Sequence, residues 1–172
     1  MNTEHQQKVT LKGAPVTLLG IEAKTGNKAR EFSVLDQAFK PVHLSDSAGK
    51  IRIISAVTSL DTSVCDAQTR RFNEIASSLG EAVEVITISM DLPYAQKRWC
   101  GAAGIDRVKV CSDHRDAQFG IAFGVLIKES RLLARAIFII DREDVIRYVE
   151  YVKEITEQPD YDRALSFVKS ML

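Results

Sequence analysis

Apolar and polar positions divide the chain into a short series of strands and helices. Residues 51–57 (IRIISAV), 83–90 (VEVITISM) and 134–140 (ARAIFII) are near-continuous apolar runs, the pattern of strands buried on both faces. Behind the first run, Phe72, Ile75, Ala76 and Leu79 recur at helical spacing, with Asp61 and Thr62 as N-cap types before them and Gly80 as the stop. Pro93 suits the first turn of a second helix running through Trp99 to Ala103. Residues 107–111 (RVKVC) predict a short strand, and residues 115–125 a weaker helix marked by Phe119, Ala122 and Phe123. Residues 145–152 alternate, so with 134–140 they predict an antiparallel hairpin across the Asp141–Asp144 turn. Leu165, Phe167, Val168 and Leu172 mark an amphipathic helix over 161–172. At the other end, residues 9–19 alternate around Gly13-Ala14-Pro15, predicting a hairpin turned at that tripeptide. Residues 29–35 and 40–44 predict short strands, followed by a turn over 46–49.

The order strand–helix–strand–helix–strand, then helix, hairpin and helix, describes an α/β protein. Crossover helices force the first strands parallel and the hairpin adds antiparallel ones, giving a central mixed β-sheet flanked by helices. That is the layout of a thioredoxin-like fold with an N-terminal β-hairpin extension. No repeat or linker interrupts it, so residues 9–172 are expected to form a single domain and residues 1–8 (MNTEHQQK) a flexible polar tail.

Composition narrows the function. The chain has 172 residues with 23 Lys plus Arg and 23 Asp plus Glu, so no net charge favours nucleic acid or an anionic membrane as partner. No apolar run approaches a membrane span, and the first residues lack a signal-peptide core, which makes the cytoplasm the expected compartment. Three cysteines in a reducing compartment do not suggest a structural disulfide framework.

Chemistry concentrates at Cys65. It falls in the first turn of a helix leaving a buried strand, where free N–H groups and the helix dipole stabilise a thiolate. A cysteine at such a junction is equally at home as a small buried hydrophobe. Dithiol exchange of the thioredoxin kind wants Cys-x-x-Cys, but Asp66-Ala67-Gln68 follows Cys65. A metal site built from Cys65, Cys100, Cys111 and His114 lacks paired knuckles, so no metal and no cofactor is expected. Cys111 reads as a core residue at a strand end, and His114 as a group held within its own turn. His5 and His43 show no catalytic context.

Extended blocks of the chain carry a further signal. Thr58-Ser59-Leu60-Asp61-Thr62-Ser63-Val64-Cys65 with Arg70-Arg71-Phe72-Asn73-Glu74 resembles the thiol peroxidases, which are atypical two-cysteine peroxiredoxins. So do residues 89–100 (SMDLPYAQKRWC), 112–116 (SDHRD), and 124–129 with 132–136. The resemblance spans roughly residues 8–172. It implies that Cys65 is the peroxidatic nucleophile, Thr62 its hydroxyl partner, Arg135 the active-site arginine and Cys100 the resolving cysteine. It further implies hydroperoxide substrates, thioredoxin as reductant and a homodimer. The residues fit those roles. A thiolate splits an O–O bond best when fixed donors stabilise the departing oxygen, and Arg135, set among apolar neighbours, needs a partner for its charge. Asp61 takes capping or support.

The chain also departs from its relatives. Thr58 stands where peroxiredoxins carry a proline, Ser63, Arg30 and Lys153 stand where relatives often do, and Asp144 replaces a usual turn glycine. Thr58 brings a hydroxyl and an N–H that need partners. It leaves room for the alternative of a redox sensor or binding scaffold with weakened peroxidase activity.

Overall fold

The long apolar runs form the middle of one seven-stranded sheet. The computed structural model describes residues 3–5 and 8–172. Its strands are β1 (Val9–Leu11), β2 (Ala14–Val16), β3 (Leu18–Leu19), β4 (Ser33–Leu35), β5 (Pro41–His43), β6 (Ile51–Ala56), β7 (Val83–Ser89), β8 (Lys109–Ser112), β9 (Leu126–Ile127), β10 (Ala136–Ile140) and β11 (Ile146–Tyr151). The helices are α1 (Ser63–Leu79), α2 (Pro93–Ala103), α3 (Gln118–Ala122) and α4 (Tyr161–Ser170). The spatial order is β11-β10-β6-β7-β8-β4-β5. Strands β6, β7 and β8 run parallel because α1 and α2 cross over between them, while every other neighbour pair in the sheet is antiparallel. The sheet is mixed and thioredoxin-like, as the order of elements predicts.

Both faces are covered, which explains runs with no polar alternation. Along β10, Ala136, Phe138 and Ile140 pack on one face with Phe119 and Phe123 around α3. Ile137 and Ile139 pack on the other with Phe72, Ile75, Leu79 and Val168 of α1 and α4. Buried Phe residues of this kind typically lose about 3–5 kcal/mol when truncated to Ala, so the layers hold β6 and β10 firmly in register. Ala136 pairs with Ala56, which brings the start of β10 to the end of β6.

Details differ from the sequence expectation. The N-terminal hairpin turns at Lys12 and Gly13, both at positive φ (51° and 79°), and not at Gly13-Ala14-Pro15. A two-residue turn of this hand needs positive φ at both centres. Pro15 instead lies in β2 opposite Thr10, whose N–H points away to Lys153 O at 2.8 Å. Leu18–Leu19 leaves the hairpin to pair with β9. The expected helix over 115–125 shortens to Gln118–Ala122, since Ala117 is left-handed at φ 51° and Gly124 at φ 64°. Of the expected polar tail, residues 1, 2, 6 and 7 lie outside the described residues; within it, Glu4 forms a bridge with Leu19.

Candidate active site

The end of β6 and the start of α1 meet at a loop that the sequence builds from polar anchors. Asp91, just past β7, accepts from Ser59 Oγ at 2.7 Å and from Leu60 N–H at 2.9 Å, and also from Ser89 Oγ at 2.7 Å. Residues 58–62 are thereby fastened to the neighbouring strand, and α1 begins at a fixed place. Thr62 occupies the N-cap position but makes no side-chain cap; its hydroxyl donates to Ser59 O at 2.9 Å.

Cys65 lies in the first turn of α1 and is fully buried. Arg135, one residue before β10, is 1% exposed and directs all three nitrogen positions at acceptors. Its Nε donates to Ile155 O at 2.9 Å, Nη1 to Gln68 Oε1 at 2.6 Å, and Nη2 to Cys65 Sγ at 3.4 Å. A cavity of about 370 Å³ adjoins this group, lined by Thr58, Thr62, Ser63, Val64 and Arg135 on one side. Leu11 and Lys12 of the hairpin close it with Ile155 and Thr156. Glu154 ties those walls together, accepting from Thr10 Oγ1 (2.7 Å), Lys12 N–H (2.9 Å), Gly13 N–H (3.0 Å) and Thr156 Oγ1 (2.8 Å). These bonds, the Gly13 N–H foremost, hold its carboxyl well below the usual range.

Three thiols are free. Cys100 lies on α2 and accepts from Gln37 Nε2 at 3.3 Å; burial pushes its thiol up, partly offset by that amide. Cys111 sits in β8, where burial pushes its thiol up to about 12, so it stays protonated near neutrality. A buried cysteine sulfur, a guanidinium aimed at it, and a small cleft beside them make an arrangement suited to attack on a compact electrophile.

The chain matches the Redoxin family over residues 24–165. It is 57% identical over 164 residues to a thiol peroxidase of Halalkalibacterium halodurans, covering 95% of this chain and 98% of that protein. The thiol peroxidase of Bacillus subtilis is 53% identical over 165 residues, with 96% and 98% covered. The chain belongs to the thiol peroxidase family. It is a peroxiredoxin-type, thiol-dependent peroxidase, an oxidoreductase of the antioxidant class. Among solved structures, a peroxiredoxin-like protein from Aquifex aeolicus superposes with a TM-score of 0.91 at 43% identity, covering 97% of this chain and 98% of that one.

Of the four residues singled out in this thiol peroxidase family member, Cys65 and Arg135 are in direct contact, and Thr62 lines the cleft with Arg135. Cys100 belongs to the same apolar cluster as Cys65 but has its own donor in Gln37. Asp61 is exposed and makes no cap. His114 shares a 2.9 Å hydrogen bond with Ser112 Oγ. Among the described residues, no group of three His, Cys, Asp or Glu could hold a metal, and no helix is long and apolar enough to cross a membrane. Sequence reasoning passed over Gln68, although it falls in the buried stripe Cys65, Gln68, Phe72, Ile75, Leu79, where an amide is out of place. It also passed over Asp91 and Glu154, which show no periodicity because they act on loops.

Proposed function

We propose that the chain reduces hydrogen peroxide and organic hydroperoxides through Cys65, with Cys100 as the resolving thiol and thioredoxin as the external dithiol. The observation that carries this reading is the 3.4 Å approach of Arg135 Nη2 to Cys65 Sγ beside the cleft. The Cys65 thiolate attacks one peroxide oxygen, forming an S–O bond as the O–O bond breaks. The departing oxygen leaves as hydroxide or alkoxide, is stabilised by Arg135, and takes up the proton the thiol released. Thr62 Oγ1, freed from Ser59, holds the peroxide in line. Cys65 is then a sulfenic acid; Cys100 condenses with it to a disulfide, releasing water. Thiol–disulfide exchange with a reduced dithiol returns both cysteines.

In the reduced fold each sulfur has its own donor, and burial keeps Cys100 protonated. Both facts support local unwinding of α1 and α2 before the disulfide closes. A homodimer and a cytoplasmic site of action complete the proposal, on the strength of the family relationship.

One equivalent of hydroperoxide followed by peptide mass analysis tests it. The expected product is a Cys65–Cys100 disulfide with Cys111 reduced, cleared by thioredoxin with multiple turnovers. A long-lived sulfenic acid without turnover would favour the sensor reading instead. Arg135→Ala is expected to slow peroxide consumption severely; an unchanged rate would remove Arg135 from the chemistry.

A further inference from the structure

Gln68 is fully buried, three residues beyond Cys65 on α1. A guanidinium only donates, so the amide must turn its oxygen to Arg135. The other end is held by Ser55 of β6, whose Oγ accepts from Gln68 Nε2 at 2.7 Å. Among the described residues, the acceptors around Arg135 other than the Cys65 sulfur are neutral carbonyls: the Ile155 backbone and the Gln68 amide. Among the described residues, Arg135 has no carboxylate ion pair. Arg52, the other buried arginine, has one, with Asp144. The fold thus treats its two buried cations differently, and the uncompensated one faces the reactive sulfur.

We propose that Gln68 is a positioning residue that aims Arg135 while, being neutral, leaving its charge undivided for Cys65 and the peroxide oxygens. A carboxylate at this place would grip the guanidinium at least as firmly, through charge-assisted bonds, yet would offset its charge. A neutral amide supplies the grip alone. The inference rests on Cys65 being the nucleophile. Cys65 in turn acts on the hydroxyl of Tyr161 of α4. Burial pushes that hydroxyl up to about 12, so it stays neutral in the range that matters.

Gln68→Glu separates aim from charge, since it keeps the length and the acceptor. The full chain would be followed by iodoacetamide labelling of Cys65 against pH and by single-turnover oxidation with hydrogen peroxide. The expected result is a labelling profile displaced to higher pH by about one unit, and roughly ten-fold slower oxidation at pH 7. Profiles and rates that overlay the parent would overturn the proposal and leave Gln68 a core residue. Ser55→Ala gives a second arm, needed if Gln68→Glu does not fold. Loosening the amide without adding charge should slow oxidation about five-fold while the labelling profile stays in place; an unchanged rate there also overturns the proposal. Cys65→Ser serves as control: if it still consumed peroxide, the nucleophile assignment itself would fail, an outcome separable from either Gln68 result.

Discussion

The indole N–H of Trp99, one residue before Cys100, donates to Asp66 Oδ1, one residue after Cys65, at 3.0 Å. The neighbours of the two cysteines are thus tied together while the cysteines are not. Arg70 reinforces the tie: it pairs with Asp66 at 2.8 Å, donates to Ala103 O at 3.2 Å and lies 5.7 Å from the Trp99 ring centre. If disulfide closure requires α1 and α2 to unwind, this clasp must open first. Trp99→Phe keeps the ring and removes the donor, lowering that barrier by about 1 kcal/mol, roughly a five-fold faster closure. Stopped-flow peroxide oxidation followed by quenched mass analysis would measure it, with less over-oxidised Cys65 at high peroxide as the companion result. An unaltered closure rate would mean the clasp does not have to open.

Thr58 is 8% exposed and its Oγ1 has no hydrogen-bond partner. Burying an unpaired hydroxyl costs stability, so Thr58→Val, nearly the same shape, should raise stability by about 1 kcal/mol. The urea midpoint should rise with the slope unchanged. A lower midpoint would reveal that the hydroxyl is paired after all.

Asp113 is 2% exposed, and burial pushes its carboxyl up to about 6, against the opposing bonds from Gly120 and Phe119 N–H. Its folded-state value lies above the unfolded one, so the folded state binds the extra proton between about pH 4 and 6. The contribution is therefore fully present below pH 4 and lost as pH rises through 6, amounting to at most about 3 kcal/mol. Denaturant midpoints across that range should fall in the parent relative to Asp113→Asn. Parallel curves for the two would show that Asp113 titrates normally.

Glu154 makes the opposite case. Its carboxyl is held low by the hairpin N–H groups, so its stabilisation is present above the unfolded value and lost as pH falls through the folded one. Hydrogen exchange should show the Lys12 and Gly13 amides losing protection in Glu154→Gln at neutral pH, while β6 and β10 keep theirs. Because those residues wall the cleft, KM for bulky organic hydroperoxides should change more than kcat. Equal protection in the variant would dissociate the hairpin from Glu154.

Much of this was legible in residue pattern. The apolar runs gave the sheet because both its faces are covered; Arg135 was singled out by the family resemblance, and its place amid Ala134, Ala136 and Ile137, where a charge needs an acceptor, fitted that role. The helix mouth at Cys65 followed from its strand–helix junction. Other features were hidden for physical reasons. The hairpin turn moved to Lys12–Gly13 because backbone hand outweighs the presence of proline. Thr62 did not cap because its hydroxyl turns back to Ser59. Gln68 was passed over because its spacing marks it as an amide in the buried stripe of α1 but does not say which buried group that amide serves. The Asp91 and Glu154 anchors join segments far apart in the chain, and no periodicity encodes that.

The pairing of Ala56 with Ala136 sets where Cys65 and Arg135 stand relative to each other. A one-residue slip of β10 against β6 would turn the arginine toward the opposite layer. The interlocked hydrophobic layers therefore act as a ruler for the chemistry: insertions in outer loops leave the sulfur and guanidinium matched, whereas one extra residue inside either strand would separate them without altering a single reactive group.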